Sequence, residues 1–205
     1  MIINCLRSTY LMVLILTLAA CSGNNNYENN ISKTRKEKDQ HFKYADRSPL
    51  KNEQKKAFKS LDYFPVNKQF QVSAELERLP GADTFTMAYK NGQDQQYIRF
   101  ATLDFQLKGQ DCELYAYRNV DPAKQGGKNP LFIPFYDATN GTQTYGGGRY
   151  LDIKTDQIGG DKLKLDFNRA YNPYCAYNDR YACPIPPKEN KLEISIPAGE
   201  KDFDL

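Results

Sequence analysis

The sequence predicts a mostly β fold: a single antiparallel β-sandwich or barrel-like domain with one N-terminal helix. Apolar and polar residues alternate in several short runs between residues 70 and 196. Turn pairs that contain glycine separate these runs, and no helical pattern comes between them. Short strands joined in this way form antiparallel sheets that close as a sandwich or a barrel.

The helix is expected first, with Ser48 as N-cap, Pro49 as first helical residue and an end near Ser60. The alternating runs that predict strands are Phe70–Leu76, Phe85–Tyr89, Leu103–Leu107, Cys112–Ala116, Leu163–Phe167 and Leu192–Ile196. The more continuous apolar run Leu131–Tyr136 predicts a strand buried more fully. Asn140-Gly141 is expected to turn this strand back into a Gly-rich partner strand that leads to Arg149.

The N-terminus has the parts of an export signal. Arg7 supplies charge, Tyr10–Leu18 is apolar, and Ala19-Ala20 is a small pair. The apolar run is too short to cross a bilayer, which takes roughly 20 residues. Leu18-Ala19-Ala20-Cys21 resembles the lipobox of bacterial lipoproteins. The sequence thus predicts a signal peptide over residues 1–20 and a Cys21 that is acylated, for example with palmitate.

This interpretation implies a protein anchored to the lipid bilayer of the cell envelope, on the periplasmic face or at the outer membrane. Residues 21–45 are expected to form a flexible, solvated tether, because Ile31 and Phe42 are its only strong hydrophobes. Residues 46–205 are expected to form the β-rich domain. The full chain has a formal net charge of +3, and Arg7 belongs to the predicted signal, so the exported chain is near neutral and predicts no nucleic-acid partner.

Several classes of chemistry lack their usual residues. The single histidine is His41, in the expected tether, which argues against Ser-His-Asp, Cys-His and common zinc sites. No Gly-rich phosphate-binding motif follows a predicted strand. The sequence therefore predicts no catalytic residue, metal ligand or cofactor.

The cysteines of the domain predict one disulfide. Cys175 and Cys183 flank one short loop, and thiols pair in the oxidising compartment to which export leads. Cys112 lies on an alternating strand, so it is expected to be free and to act as a small buried hydrophobe.

Two segments do not follow the alternating pattern and are candidates for a ligand surface. They are the Gly-rich stretch of the hairpin, Gly146–Arg149, and the loop around the predicted disulfide, Asn168–Asn190. Glycines in strands mark bulges, barrel corners or close approach of a ligand, and polar loop side chains can satisfy their own backbone, so architecture alone remains an alternative for both. If the segments form one pocket, the ligand contacts are Arg149, Tyr145, Tyr150, Asn168, Arg169, Tyr171, Glu189 and Asn190, with Arg149 as an anion clamp.

The same segments resemble a known bacterial family, domain of unknown function 1684. The motifs that carry the resemblance are Ser48–Leu50, Leu61–Pro65, Pro134–Gly141, Thr144–Leu151, Asp166–Tyr177 and Cys183–Asn190. They extend from Ser48 to about Glu200. The resemblance implies a mostly β domain and no particular activity.

Three functions are compatible with the residues. The first is a non-enzymatic binding module for a small polar or anionic ligand or a peptide. The second is a carboxylate-based envelope hydrolase, with Asp137, Asp152, Asp166 and Glu189 as candidate acids. The third is a structural lipoprotein that packs against an envelope partner.

The lipobox prediction is tested by Cys21→Ser. Without the thiol no acyl chain can be attached, so we expect the variant to lose radiolabelled acyl chains and to leave the membrane fraction. Cys5→Ser is the matched control, and it should keep both. Acyl label and membrane sedimentation that persist in Cys21→Ser would refute the lipobox.

Overall fold

The computed structural model describes residues 25–121, 130–154 and 158–204. The predicted signal peptide, the lipobox and Cys21 lie outside the described residues.

Seven strands form one antiparallel sheet, which confirms the mostly β prediction. The strands are β1 (Gln71–Arg78), β2 (Thr84–Met87), β3 (Gln95–Leu107), β4 (Gln110–Asn119), β5 (Leu131–Phe135), β6 (Arg149–Ile153) and β7 (Lys162–Asp166). Their order is β6-β5-β4-β3-β1-β7, and β2 pairs with the start of β3. Tyr150 and Tyr171 exchange two backbone hydrogen bonds of 2.9 and 3.0 Å. This bridge links β6, at one end of the sheet, to the chain just after β7, at the other end.

The hairpin between β3 and β4 has the turn that its sequence predicts. Lys108 and Gly109 have φ values of 52° and 76°. Two successive positive φ values are characteristic of the type I′ turn, whose twist matches that of the flanking strands. Seven paired positions of β3 and β4, from Leu107–Gln110 to Ala101–Ala116, follow directly from this turn, and three more follow a register shift between Arg99 and Ala101.

The hairpin between β5 and β6 pairs as predicted, but Asn140-Gly141 does not close it directly. Residues 136–148 separate the strands, and Asn140-Gly141 lies in a smaller turn inside this connection. The glycines lie before the strand rather than within it, because β6 begins at Arg149. Gly148 has φ +86°, and a Cβ there would lie 2.9 Å from the Phe135 carbonyl oxygen.

The predicted last strand is wrong, although its side chains alternate. Leu192, Ile194 and Ile196 are buried at every second position, as in a strand. Among the described residues, one isolated bridge forms at the start of their segment, between Lys191 and Tyr136. Its backbone groups bind loop atoms and side chains instead of a neighbouring strand.

Both faces of the sheet are covered near β5. One face packs against the C-terminal segment in the main core. On β5 this face carries Leu131, Ile133 and Phe135. The opposite face carries an aromatic cluster with Phe132 and Tyr150. Burial of both faces explains why β5 reads as a continuous apolar run rather than an alternating one.

Residues 25–44 form a helix, α1, so the expected flexible tether is wrong over these residues. Ile31 and Phe42 are each 1% exposed and pack against the domain. Together with Arg35 and Lys38 they recur at spacings of four, three and four residues, which places them on one helix face. No described helix is long and apolar enough to cross a membrane.

The predicted helix after Ser48 is real but shorter, and its start is different. Helix α2 spans Asn52–Ala57, and Lys51 is its N-cap. Ser48 is buried between the two helices, where its hydroxyl donates to the Phe42 carbonyl and accepts from Leu50 N at 3.1 Å. The serine therefore connects α1 to the segment before α2 rather than capping a helix.

The predicted disulfide joins Cys175 to Cys183. Cys112 is free and half-buried, so it is less buried than expected.

The packing of α1 is tested by Phe42→Ala. Phe42 contacts Phe58 and Tyr177 in a small apolar core, so its truncation should cost about 3–5 kcal/mol in the free energy of unfolding. Tyr44→Ala is the matched control, because Tyr44 is 71% exposed on the same helix, and it should cost less than about 0.5 kcal/mol. Urea unfolding followed by tyrosine fluorescence measures both. Equal costs would show that α1 does not pack as described.

Candidate functional site

A cavity of about 740 Å³ lies where α1 crosses the seam between the two ends of the sheet. The stapled loop, residues 168–190 with their disulfide, forms a further wall. The side chains that matter below are Thr34, Arg35 and Lys38 from α1, Phe132, Tyr150 and Asp152 from the sheet, Asn168, Arg169 and Tyr171 from the loop, and Tyr63 and Glu200.

Helix α1 brings two cations to the cavity. The Arg35 guanidinium donates to the Phe64 carbonyl at 2.9 Å and lies 4.4 Å from the ring centroid of Tyr63. Burial lowers the pKa of Arg35. Lys38 forms an ion pair with Glu200. Both charges therefore have partners inside the domain, as expected for cations held away from water.

Glu200 also lines the cavity and binds α1 and the stapled loop. It is 1% exposed and receives hydrogen bonds from Lys38, from Asn172 N at 2.9 Å and from the Tyr177 hydroxyl at 2.5 Å. Burial and the neighbouring Glu200 carboxylate hold the pKa of Tyr177 well above its usual value. Glu200 thus has little remaining capacity to accept a ligand's hydrogen bonds.

Asp152 is the less committed carboxylate of the cavity. Its side chain is solvent-exposed and accepts one hydrogen bond, from the Tyr171 hydroxyl at 2.7 Å. Among the described residues it is in no ion pair. Partial burial of the carboxylate raises the pKa of Asp152, and the Tyr171 hydrogen bond and the charge of Lys38 offset part of that rise.

Aromatic rings adjoin Asp152. Phe132 lies directly opposite Asp152 in the β5–β6 register, and Tyr150, two residues earlier, shares its face of the sheet. The Phe132 and Tyr150 rings meet edge-to-face at 4.8 Å, and those of Tyr150 and Tyr171 at 5.8 Å. The carboxylate therefore stands beside a continuous aromatic wall.

The prediction that Arg149 clamps an anion is wrong. Its side chain is completely buried and pairs with Asp137 at 2.6 Å. The same guanidinium donates to the carbonyls of Ile196, Ala198 and Glu200, and it does not line the cavity. Burial of an unpaired charge away from water is unfavourable. This cost explains why these acceptors surround the Arg149 guanidinium.

Three other predicted contacts also lie away from the cavity. Asn190 is fully buried, and its amide bonds the backbone of Tyr115 and Pro134. Glu189 pairs with Arg99 at 2.6 Å. The Tyr145 ring packs over Gly147, which the Gly-rich turn leaves without a side chain. The Gly-rich turn contacts the stapled loop at Gly148 and Pro186 but does not line the cavity.

The remaining four predicted residues do line the cavity: Tyr150, Asn168, Arg169 and Tyr171. Asn168 is mainly a connector, since its amide bonds Asn67 and the Tyr27 hydroxyl of α1. Arg169 is half-exposed, donates to Asn30 of α1 at 2.6 Å and lies 3.4 Å from Asp166.

The hydrolase candidates are not brought together. Asp137 is enclosed with Arg149, Glu189 pairs with Arg99, and only Asp152 of the four lines the cavity. Within the described residues, no group of three or more His, Cys, Asp or Glu side chains could hold a metal ion.

Sequence reasoning missed the α1 wall and Glu200. The helical spacing of Ile31, Arg35, Lys38 and Phe42 was a usable signal for the first. No local pattern signals Glu200, because its partners come from segments distant in sequence.

Comparisons with known proteins agree with this fold. A family model described as "Protein of unknown function (DUF1684)" matches residues 56–201. The solution NMR structure of an uncharacterized protein of Haloarcula marismortui is similar, with 34% sequence identity and a TM-score of 0.67. The match covers 88% of this chain and 96% of that one. No curated protein matches the sequence.

Proposed function

The chain belongs to the DUF1684 family of proteins of unknown function, and on this premise we propose that its domain is a non-enzymatic module that binds one small ligand. The cavity between α1, the sheet seam and the stapled loop is the observation that carries the proposal. Its volume of about 740 Å³ is within the range of small-molecule sites, roughly 300–1,000 Å³. Aromatic walls with a few placed polar groups are typical of such sites.

The position of the cavity supports this function. We propose that the curled sheet is an incomplete barrel, joined at its seam by the Tyr150–Tyr171 backbone bridge. Ligand sites are common in the mouths of barrels, where strand ends and loops leave space. Helix α1 covers the seam here, so a ligand would contact a helix, two strand ends and a stapled loop.

We further propose that the module is an envelope lipoprotein, held on the extracytoplasmic side of a membrane by acylated Cys21. The lipobox and the Cys175–Cys183 disulfide, a bond of oxidising compartments, support this location. Cys21 precedes the first described residue of α1 by four positions. The cavity would then lie close to the bilayer surface.

Carboxylate-based hydrolysis is the second candidate function, and the raised pKa of Asp152 is the observation that favours it. Such a mechanism needs a second carboxylate across the cleft. Glu200 lines the same cavity, but its oxygens are already bonded to Lys38, Asn172 and Tyr177. Binding without chemistry is therefore better supported.

Thermal unfolding of the full-length protein in maltoside micelles, screened against envelope metabolites, tests the binding function. A ligand at 100 times its Kd stabilises by about 2.7 kcal/mol, an upward shift of several degrees. Thr34→Trp should abolish the shift, because Thr34 lines the cavity and a larger side chain fills it.

Lys33→Trp is the matched control, since Lys33 is the adjacent residue of α1 and its side chain is 77% exposed. It should keep the shift. A ligand that still stabilises Thr34→Trp would place its site elsewhere, and a screen without any hit would count against the binding function.

A further inference from the structure

We propose that the ligand carries an organic ammonium group, which Asp152 and the aromatic wall beside it recognise. This inference rests on the proposed function and names the ligand class of the same cavity. It depends on the charges that remain without a partner and on the side chains that surround them.

The charge balance leaves Asp152 as the carboxylate open to a ligand. Lys38 is paired with Glu200, and Arg169 lies 3.4 Å from Asp166. Among the described residues, Asp152 has only the neutral Tyr171 hydroxyl as a hydrogen-bond donor. A cation bound there would gain an anionic partner that is in no ion pair with a described side chain.

Arg35 is the remaining cation of the cavity, and it offers little to an incoming anion, because its Nε, which has no hydrogen-bond partner among the described residues, is buried from solvent. It donates to the carbonyls of Phe64 and Asn168 and stacks on Tyr63. An anionic ligand would have to displace these contacts. An ammonium group beside Asp152 would displace none.

The aromatic wall next to Asp152 also favours a cation. Aromatic faces attract ammonium groups through the ring quadrupole, and rings combined with a carboxylate form recognition sites for organic cations. Tyr171 already holds one ammonium in this way, since Lys38 Nζ lies 5.1 Å from its ring centroid. Tyr150 and Phe132, the residue opposite Asp152 on β5, continue the aromatic surface from Tyr171 along the same face of the sheet.

Three probes of similar size and shape separate charge from fit: choline, its uncharged analogue 3,3-dimethylbutan-1-ol, and the anion 3,3-dimethylbutanoate. Each has nine equivalent methyl protons, so ligand-observed NMR can follow all three with full-length protein in maltoside micelles, after subtraction of micelle-only blanks. We expect choline to bind at least tenfold more tightly than either analogue, a difference of about 1.4 kcal/mol.

Asp152→Asn should remove this preference and leave thermal stability nearly unchanged, because the side chain is exposed. Asp104→Asn is the matched control, an exposed carboxylate on β3 outside the cavity, and it should keep the preference. Thr34→Trp should abolish binding of every probe.

Equal or tighter binding of the uncharged or anionic analogue, blocked by Thr34→Trp, would overturn the ammonium inference and leave the binding function standing. A preference for choline that survives Asp152→Asn would also overturn it. If no probe binds, the inference fails, and the metabolite screen decides the binding function separately.

Discussion

Arg149 joins strand β6 to the C-terminal segment through one buried guanidinium group. Its partners are the Asp137 carboxylate and the carbonyls of residues 196, 198 and 200. A buried charge is costly unless it is paired and hydrogen-bonded, so these acceptors are held where Nη1 and Nη2 of the guanidinium need them, whereas the buried Nε has no partner among the described residues. The interaction takes the place of a strand ladder for a segment that has almost none.

The cavity depends on this interaction through Glu200. The hydrogen bond from Arg149 fixes the backbone carbonyl of Glu200. The side chain of Glu200 then reaches Lys38 of α1. Gly199 permits the approach, because it has φ +78° and a Cβ there would lie 2.6 Å from the Ala170 carbonyl oxygen. One buried ion pair thus determines how the last residues of the domain meet its first helix. The position of the Glu200 carboxylate in the cavity wall therefore depends on the Arg149 interaction.

Much of the fold could be predicted from the sequence, because it depends on local patterns. Period-two runs predicted five of the strands, the continuous apolar run predicted β5, and the glycine-containing pair Lys108-Gly109 lies at the turn between β3 and β4, where both residues have positive φ. The run Leu192–Ile196 has the same period without a ladder, because side-chain burial alone imposes the alternation. Alternation therefore reports which side chains are inside, and it does not report where the backbone finds its partners.

The site was harder to predict, since polar residues have no period that separates structure from function. Arg149, next to glycines, suggested an exposed clamp, whereas the glycines permit tight packing around a buried arginine. Helix α1 looked too polar to pack, yet its Arg35 and Lys38 bury their stems against the domain and bond carbonyl or carboxylate groups. The low hydrophobicity of residues 25–44 indicated disorder, whereas the spacing of their side chains indicated a helix.

Amide hydrogen exchange in Arg149→Lys tests the role of the buried guanidinium most directly. Lysine keeps the charge opposite Asp137 but cannot serve four acceptors in a planar fork. The account predicts exchange at least tenfold faster at Phe64 and Glu200, whose amides bond Gly199 and Ala170 carbonyls, with β3 and β4 unchanged. Arg169→Lys, at a half-exposed pair, should alter neither region. Unchanged protection of Phe64 and Glu200 in Arg149→Lys would contradict the dependence of the C-terminal segment on Arg149.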